Sequence, residues 1–112
     1  MDHMIAFQRA ESAYKLVNVL VETFPKIQRF GLGLRLESNS IELIELVATG
    51  ETLPNPLKGK FVSEAAAKAD VCGVLTRLCA ERKLIGGTNY FTLAGLFQET
   101  AMLCTGWEKS LR

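Results

Sequence analysis

Hydrophobic residues recur at three- and four-residue steps in four stretches of this chain. That spacing places them along one face of an α-helix, with polar residues on the opposite face. Alternation of apolar and polar residues with a period of two never lasts beyond a few positions, so no β-strand is predicted. We therefore predict an all-α protein whose helices cover approximately residues 5–23, 26–49, 61–84 and 89–111.

The second stretch begins at a proline and changes its charge along its length. Pro25 ends the first helix, because the residue before a proline is disfavoured in the helical region, and it is tolerated at the start of the next helix. Basic residues occupy the beginning of this stretch and glutamates the remainder. Gly33 here, and Gly73 in the third helix, are predicted to permit a close approach of another helix. The apolar stripe expected to face the core consists of Ile27, Phe30, Leu34, Ile41 and Ile44, and Val47 and Ala48 continue it.

Two connections are predicted to be tight turns and one to be a longer loop. Pro25 leaves a short first turn, and Gly86 with Gly87 is expected to end the third helix, with Ile85 as a hydrophobic contact across the cap. The proline-containing residues 50–60 are predicted to form the loop. Because short turns join antiparallel neighbours, we predict an antiparallel up-down-up-down four-helix bundle with both tight turns at one end.

Composition limits the class of protein further. The chain has 112 residues, of which 48% are hydrophobic and 22% are charged, and this is typical of a single globular domain covering residues 1–112. Its formal net charge of +1 indicates no particular partner. No apolar run approaches the ~18 residues of a membrane span, and no signal-peptide pattern is present. Cys72, Cys79 and Cys104 are an odd number at core-like positions, which favours a reducing, cytoplasmic location.

The sequence contains no recognisable catalytic or cofactor-binding pattern. His3 is the single histidine, so neither a Ser-His-Asp set nor a set of metal ligands can be assembled, and the cysteines are interpreted as small buried hydrophobes. The glycine pairs do not follow a strand and do not match the spacing of a phosphate-binding loop. We expect no enzyme activity, no cofactor and no metal.

Three segments of the chain together resemble one protein family. They are Phe24–Glu37, with the pattern FPKxQRFxLGxRLE, then Leu75–Cys79 followed by Leu84 and Ile85, and finally Gly106–Ser110. In this order they resemble Avd, the accessory variability determinant of the diversity-generating retroelements of bacteria and phages. The first segment also resembles a wider superfamily of bacterial four-helix bundles that includes proteins encoded in ribosomal-RNA intervening sequences.

The resemblance implies a function as well as a fold. It implies a homopentamer with a basic surface that contacts RNA or DNA. It also implies association with a reverse transcriptase that copies a template RNA with errors during mutagenic retrohoming. The alternative is a structural or protein-interaction bundle of the wider superfamily that binds no nucleic acid, and the near-zero net charge favours it.

Two sets of residues are candidates for these contacts. Lys26 and Arg29 begin the second helix at the end of the bundle where Arg82 and Lys83 finish the third, so the four cations are predicted to hold phosphates. The alternative is that the last two only complement the dipole at a helix C-terminus. The acidic residues expected to oppose this patch are Glu22 and Glu81.

The second set consists of candidate subunit or partner contacts, and for its two arginines the alternative role is contact with phosphate. Arg35 and Arg77 lie close to apolar stripes, and arginines in such positions often pair with a carboxylate of a neighbouring helix or subunit. Trp107 is predicted to be a core or interface aromatic. The carboxylates predicted to pair with the two arginines are those of Glu37, Glu42 and Glu45.

Overall fold

The computed structural model describes residues 2–112 and the side chains of residues 4–112. These residues form helices and short turns and contain no β-strand, so the predicted all-α class is confirmed. The second bundle helix is kinked and consists of three consecutive segments, so that four rods build the molecule. The elements are α1 (Asp2–Val21), α2 (Lys26–Gln28), a π-helical turn (Arg29–Gly33), α3 (Leu34–Thr52), α4 (Asn55–Glu81) and α5 (Gly87–Ser110).

The four rods form the predicted antiparallel four-helix bundle. Helix α1 packs against α3 and α5, and α4 packs against the same two helices, so the rods occupy the corners of a square. The bundle is elongated, with extents of 44 × 23 × 17 Å. Because successive rods reverse direction, the connections at residues 22–25 and 82–86 lie at one end, which we call the turn end.

The core contains both small and large side chains. Ala6, Ala10 and Ala13 supply small surfaces on α1, while Phe97 of α5 fills the space between helices. The buried hydroxyl groups are satisfied within their own helices, as in Thr76, which donates to the carbonyl oxygen of Cys72 at 2.8 Å. No buried polar side-chain atom within residues 4–112 lacks a hydrogen-bond partner. Other large core residues are Leu36, Leu43, Val47 and Leu93.

The predicted core stripe of the second bundle helix is wrong in its first half. Ile27 is 82% exposed, Phe30 is 71% exposed and Leu34 is 49% exposed, while Ile41 and Ile44 are only partly buried. The backbone leaves helical geometry at a glycine in the π-helical turn, and the wider turn changes the direction in which the preceding side chains point. The residues of this rod that are buried are Gly33, Leu36, Ser40, Leu43, Val47 and Gly50.

Close packing of α1 explains why Gly33 lies inside. A Cβ atom at this position would lie 2.9 Å from Cγ1 of Val21 and 3.3 Å from Cδ2 of Phe24, so only glycine allows this approach. The prediction that Gly33 permits a close helix contact is therefore confirmed. Gly73 has no atom within 4 Å of such a Cβ, so within this chain it performs no corresponding role.

The loop predicted at residues 50–60 is also wrong. Helix α3 continues to Thr52 and α4 begins at Asn55, which leaves two residues between them. Pro56 lies in the first turn of α4, where a missing backbone N–H costs no helical hydrogen bond. The Nζ atom of Lys58 donates to the carbonyl oxygens of Gly50 at 2.8 Å and Glu51 at 2.9 Å, and so satisfies acceptors at the end of α3.

Helix α4 ends three residues before the predicted position, at Glu81 rather than Leu84. Lys83 adopts a left-handed conformation with φ = 61°. The N–H of Leu84 donates to the carbonyl of Cys79, and the N–H of Lys83 donates to that of Ala80, both at 2.9 Å. This is the Schellman arrangement, in which glycine usually occupies the position of Lys83. The predicted role of Gly86 and Gly87 as the stop is wrong, since Gly86 is instead the N-cap of α5.

Candidate nucleic-acid interface

The four cations predicted to bind phosphates all lie at the turn end. Lys26 begins α2, Arg29 begins the π-helical turn, and Arg82 and Lys83 follow the last residue of α4. All four side chains are exposed. Because α4 packs against both α3 and the π-helical turn, the end of α4 lies at the corner next to the start of the second bundle helix. We call these four residues the turn-end cations.

None of the turn-end cations forms an ion pair with any side chain that the structure describes. Glu81 is one of the two carboxylates that were expected to oppose the patch. Its carboxylate instead accepts a 3.0 Å hydrogen bond from Nη1 of Arg77. At the opposite end of the bundle, Lys58 donates hydrogen bonds to backbone carbonyl oxygens. The remaining ion pairs of the described side chains are Arg9–Glu99, Lys68–Glu42 and Arg112–Glu108.

A shallow groove of about 300 Å³ lies between the end of α1 and the start of the second bundle helix. Lys26 and Arg29 contribute positive charge to it, and Phe30 contributes an exposed aromatic ring. Two carboxylates share the groove, so its charge is mixed rather than uniformly positive. The lining residues of this turn-end groove are Val21, Glu22, Lys26, Arg29, Phe30, Leu34 and Glu37.

The conformation of Lys83 is unusual for a residue with a side chain. A positive φ brings Cβ close to the backbone, and glycine avoids this cost. Stability alone would therefore favour glycine at this position. The presence of lysine adds a second exposed cation directly beyond α4, next to Arg82.

Among the described side chains, neither candidate contact arginine pairs with a carboxylate of a neighbouring helix, and their contact with a second subunit or partner stays a prediction. Arg77 pairs with Glu81 of its own helix and not with a carboxylate of the second bundle helix. Arg35 is exposed and forms no ion pair with a described side chain; its carbonyl oxygen accepts a 2.8 Å bond from Nδ2 of Asn39. Among the described side chains, none of the three carboxylates predicted as their partners forms an ion pair with either arginine, and Glu42 binds Lys68 at 2.9 Å.

Trp107 belongs to the core and not to a partner surface. Its side chain is 6% exposed. The ring packs against Gly50, where an added Cβ would lie 3.3 Å from the Cη2 atom of the indole. Trp107 therefore closes the end of the bundle opposite the turn end, and the core alternative of the sequence prediction is the correct one.

The three thiols are buried, as predicted from their spacing. Burial raises the pKa of Cys72 to about 12 and the pKa of Cys79 and Cys104 to about 11. Thiols with such pKa values are almost entirely protonated at neutral pH, and this makes them poor nucleophiles and poor metal ligands. Among the side chains of residues 4–112, no three His, Cys, Asp or Glu residues are grouped as a metal site would require.

The exposed aromatic ring of Phe30 is the feature of this end that periodicity missed. A signal for it exists in the sequence. Large apolar residues occur on all sides of the helix around Gly31 and Gly33, and a helix that is apolar all round has more than one contact surface. The residues that carry this signal are Ile27, Phe30, Leu32, Leu34 and Leu36.

Fold and site together define an all-α four-helix bundle with an exposed cationic and aromatic end. No protein-family model matches this chain, and no curated protein is significantly similar to it. Within the described part of the chain, no helix combines the length and the apolar character needed to cross a membrane.

Proposed function

We propose that this protein is a non-catalytic, homo-oligomeric accessory protein of a diversity-generating retroelement. Its turn end holds template RNA or its DNA copy while a bound reverse transcriptase works on it. The observation that carries the proposal is the set of turn-end cations, which share one end of the bundle, are exposed and lack carboxylate partners among the described side chains. The resemblance of three segments to Avd supplies the choice of partner.

Phosphate binding requires accessible cations whose charge is not already compensated. Each cation that neutralises a phosphate releases a condensed counterion, and this release drives association at low salt. Within the turn-end groove, Glu22 and Glu37 reduce the local positive potential. We therefore expect weak binding by a single copy of the chain.

Assembly of several copies would compensate for weak individual contacts. Linked sites convert later contacts into intramolecular ones, so that total affinity exceeds that of one site. The outer side of α4 supports self-association, because Val71 is 45% exposed, Val74 is 47% exposed and Ala67 is exposed beside them. Gly73 on the same helix leaves open space for a neighbouring chain. From the resemblance we expect the oligomer to be a pentamer.

The test is a comparison of two variants that have the same charge. In the first, all four turn-end cations are changed to glutamine. In the second, four exposed cations elsewhere are changed to glutamine, so that the formal charge falls from +1 to −3 in both. The control substitutions are at Lys15, Lys60, Lys109 and Arg112.

We expect the first variant to lose RNA binding and the control variant to retain most of it, as measured by fluorescence anisotropy with labelled RNA. Circular dichroism and light scattering establish that both variants keep the fold and mass of the parent protein. Equal loss in both variants would show that only net charge matters. Undiminished binding by the first variant would disprove the proposed interface.

One observation favours the alternative, an interaction module that binds no nucleic acid. Ile27, Phe30 and Leu34 form an exposed apolar stripe, which is typical of a surface that another protein covers. The two functions predict different results in one experiment. Only the nucleic-acid function requires binding to purified RNA that weakens steeply as salt rises.

A further inference from the structure

We propose that Phe30 is a stacking platform for an unpaired base, so that the ligand of the turn end is single-stranded nucleic acid. This inference rests on the proposed function and specifies its ligand class. The ring is 71% exposed and lines the turn-end groove together with Lys26 and Arg29. Aromatic rings placed between cations bind single strands, because the cations hold phosphates while successive bases stack on the rings.

The backbone that carries this ring belongs to the kinked, packed start of the second bundle helix. Phe30 lies in the π-helical turn, whose kink is at Gly31 with φ = −102° and ψ = −109°. The end of the turn is held by the close packing of Gly33 against Val21 and Phe24. The ring is thus carried by packed helical structure rather than by a loop, which reduces the entropy that binding would cost.

The charges of the groove restrict the path of a bound strand. Phosphates are attracted by Lys26 and Arg29 and repelled by Glu22 and Glu37, which line the same groove. We therefore expect the phosphates of the strand to contact Lys26 and Arg29 and a base to contact the exposed ring.

A duplex cannot use this arrangement. Its bases are stacked on one another and their faces are not accessible, whereas unpaired bases can turn outward and stack on an aromatic side chain. The turn-end cations can still hold duplex phosphates without help from the ring. The ring therefore predicts a preference for single strands, which the cations alone would not produce.

The decisive variants differ only in the ring. Phe30→Leu keeps an exposed apolar side chain but removes the π system, while Phe30→Tyr keeps the ring. We expect Phe30→Leu to bind a single-stranded RNA about 5- to 150-fold more weakly, which is the range for loss of one stacked base. Phe30→Tyr should bind within about twofold of the parent protein, and duplex RNA should bind equally to all three.

The salt dependence separates stacking from phosphate contact. Stacking releases no counterions, so Phe30→Leu should leave the slope of log K against log salt unchanged. Substitution of Arg29 by glutamine should instead make the slope shallower by about 0.7 for a single strand. Glu22→Gln should tighten binding, because it removes a repulsive carboxylate from the groove.

Phe30→Trp places a fluorescent probe at the same position. Trp107 is buried, so the difference between this variant and the parent protein isolates the exposed indole. We expect a single-stranded homopolymer such as poly(U) to quench this fluorescence and a duplex of equal length to leave it nearly unchanged.

Each outcome bears on one of the two proposals. If the parent protein binds neither RNA form, both proposals are wrong. If it binds with a steep salt dependence but Phe30→Leu binds single strands as tightly as Phe30→Tyr does, stacking is wrong and the proposed function stands. A changed mass of Phe30→Leu in light scattering would assign the ring to contact with a second copy and would also overturn the inference.

Discussion

Replacement of Lys83 by glycine should stabilise the protein and weaken RNA binding at the same time. The residue has φ = 61° in the Schellman turn that ends α4, and its exposed side chain is one of the turn-end cations. Most losses of binding in a variant can be attributed to partial unfolding. Here the two effects have opposite signs, so this explanation is excluded.

The magnitude follows from the backbone. A side chain in the left-handed region costs about 1–2 kcal/mol, and glycine removes that cost. Glycine also increases the conformational entropy of the unfolded chain, and this reduces the gain in folding stability by about 0.5–1 kcal/mol. The free energy of unfolding should therefore rise by about 0.5–1 kcal/mol. For a chain of 112 residues this corresponds to a Tm increase of about 2–4 °C.

Lys83→Ala is the matched control, because it removes the same charge but keeps the strained backbone. Thermal and urea denaturation should show Lys83→Gly to be more stable than both Lys83→Ala and the parent protein. Both variants should bind single-stranded RNA with a salt slope shallower by about 0.7. Equal stability of the two variants would refute the reasoning about the cap, and an unchanged slope would refute the role of Lys83 in phosphate binding.

Three further predictions concern the fold. Lys58→Met should lower the free energy of unfolding in urea by about 1–2 kcal/mol, because two carbonyl oxygens at the end of α3 lose their donor; an unchanged value would contradict this cap. Gly33→Ala should lower the free energy of unfolding in urea by about 1–3 kcal/mol, because the added Cβ would lie 2.9 Å from Cγ1 of Val21. Gly73→Ala should not lower it, because an added Cβ there has no atom within 4 Å. Burial raises the pKa of Cys104 from 9.0 to about 11, so the folded state keeps this proton longer than the unfolded state and stability falls between these pH values. Cys104→Ala should reduce that fall by about 1.4 kcal/mol per pH unit in urea titrations, and identical slopes would show that this thiol does not contribute.

The rods and their antiparallel order could be predicted from the sequence, because each rod has an apolar face with helical spacing and a short connection to the next. The rotation of the second bundle helix about its own axis, which decides which of its residues face the core, could not be predicted. It depends on the π-helical turn, and that turn is held by Val21 of α1 and Phe24 of the connection, which pack on Gly33. Periodicity within one helix carries no information about such a contact.

The residues at which helices begin and end could not be predicted for a related reason. Prolines at residues 54 and 56 indicated a loop, but a proline in a first turn is compatible with a helix, and Lys58 supplies the missing donors from seven and eight residues away. At the end of α4 the glycines indicated the stop, yet Lys83 takes the left-handed conformation instead. In both places a side-chain or backbone hydrogen bond decided the boundary.

The candidate site was predicted in part. Lys26, Arg29, Arg82 and Lys83 lie near predicted helix ends, so their position at one end of the bundle followed from the antiparallel order. The exposure of Phe30 did not follow, because the same periodicity assigned it to the core. The ion pair of Arg77 was also not predicted. Its partner is Glu81, four residues further along the same helix, so no residue of a neighbouring helix is needed.

The central claim is that the turn-end cations bind phosphates of a single strand, and the affinity for single-stranded RNA as a function of salt tests it most directly. Contact of all four cations with phosphates predicts a slope of log K against log salt of about −2.8. Affinity should therefore fall about 50-fold between 50 and 200 mM salt. A slope near zero, or no binding at 50 mM salt, would contradict the claim.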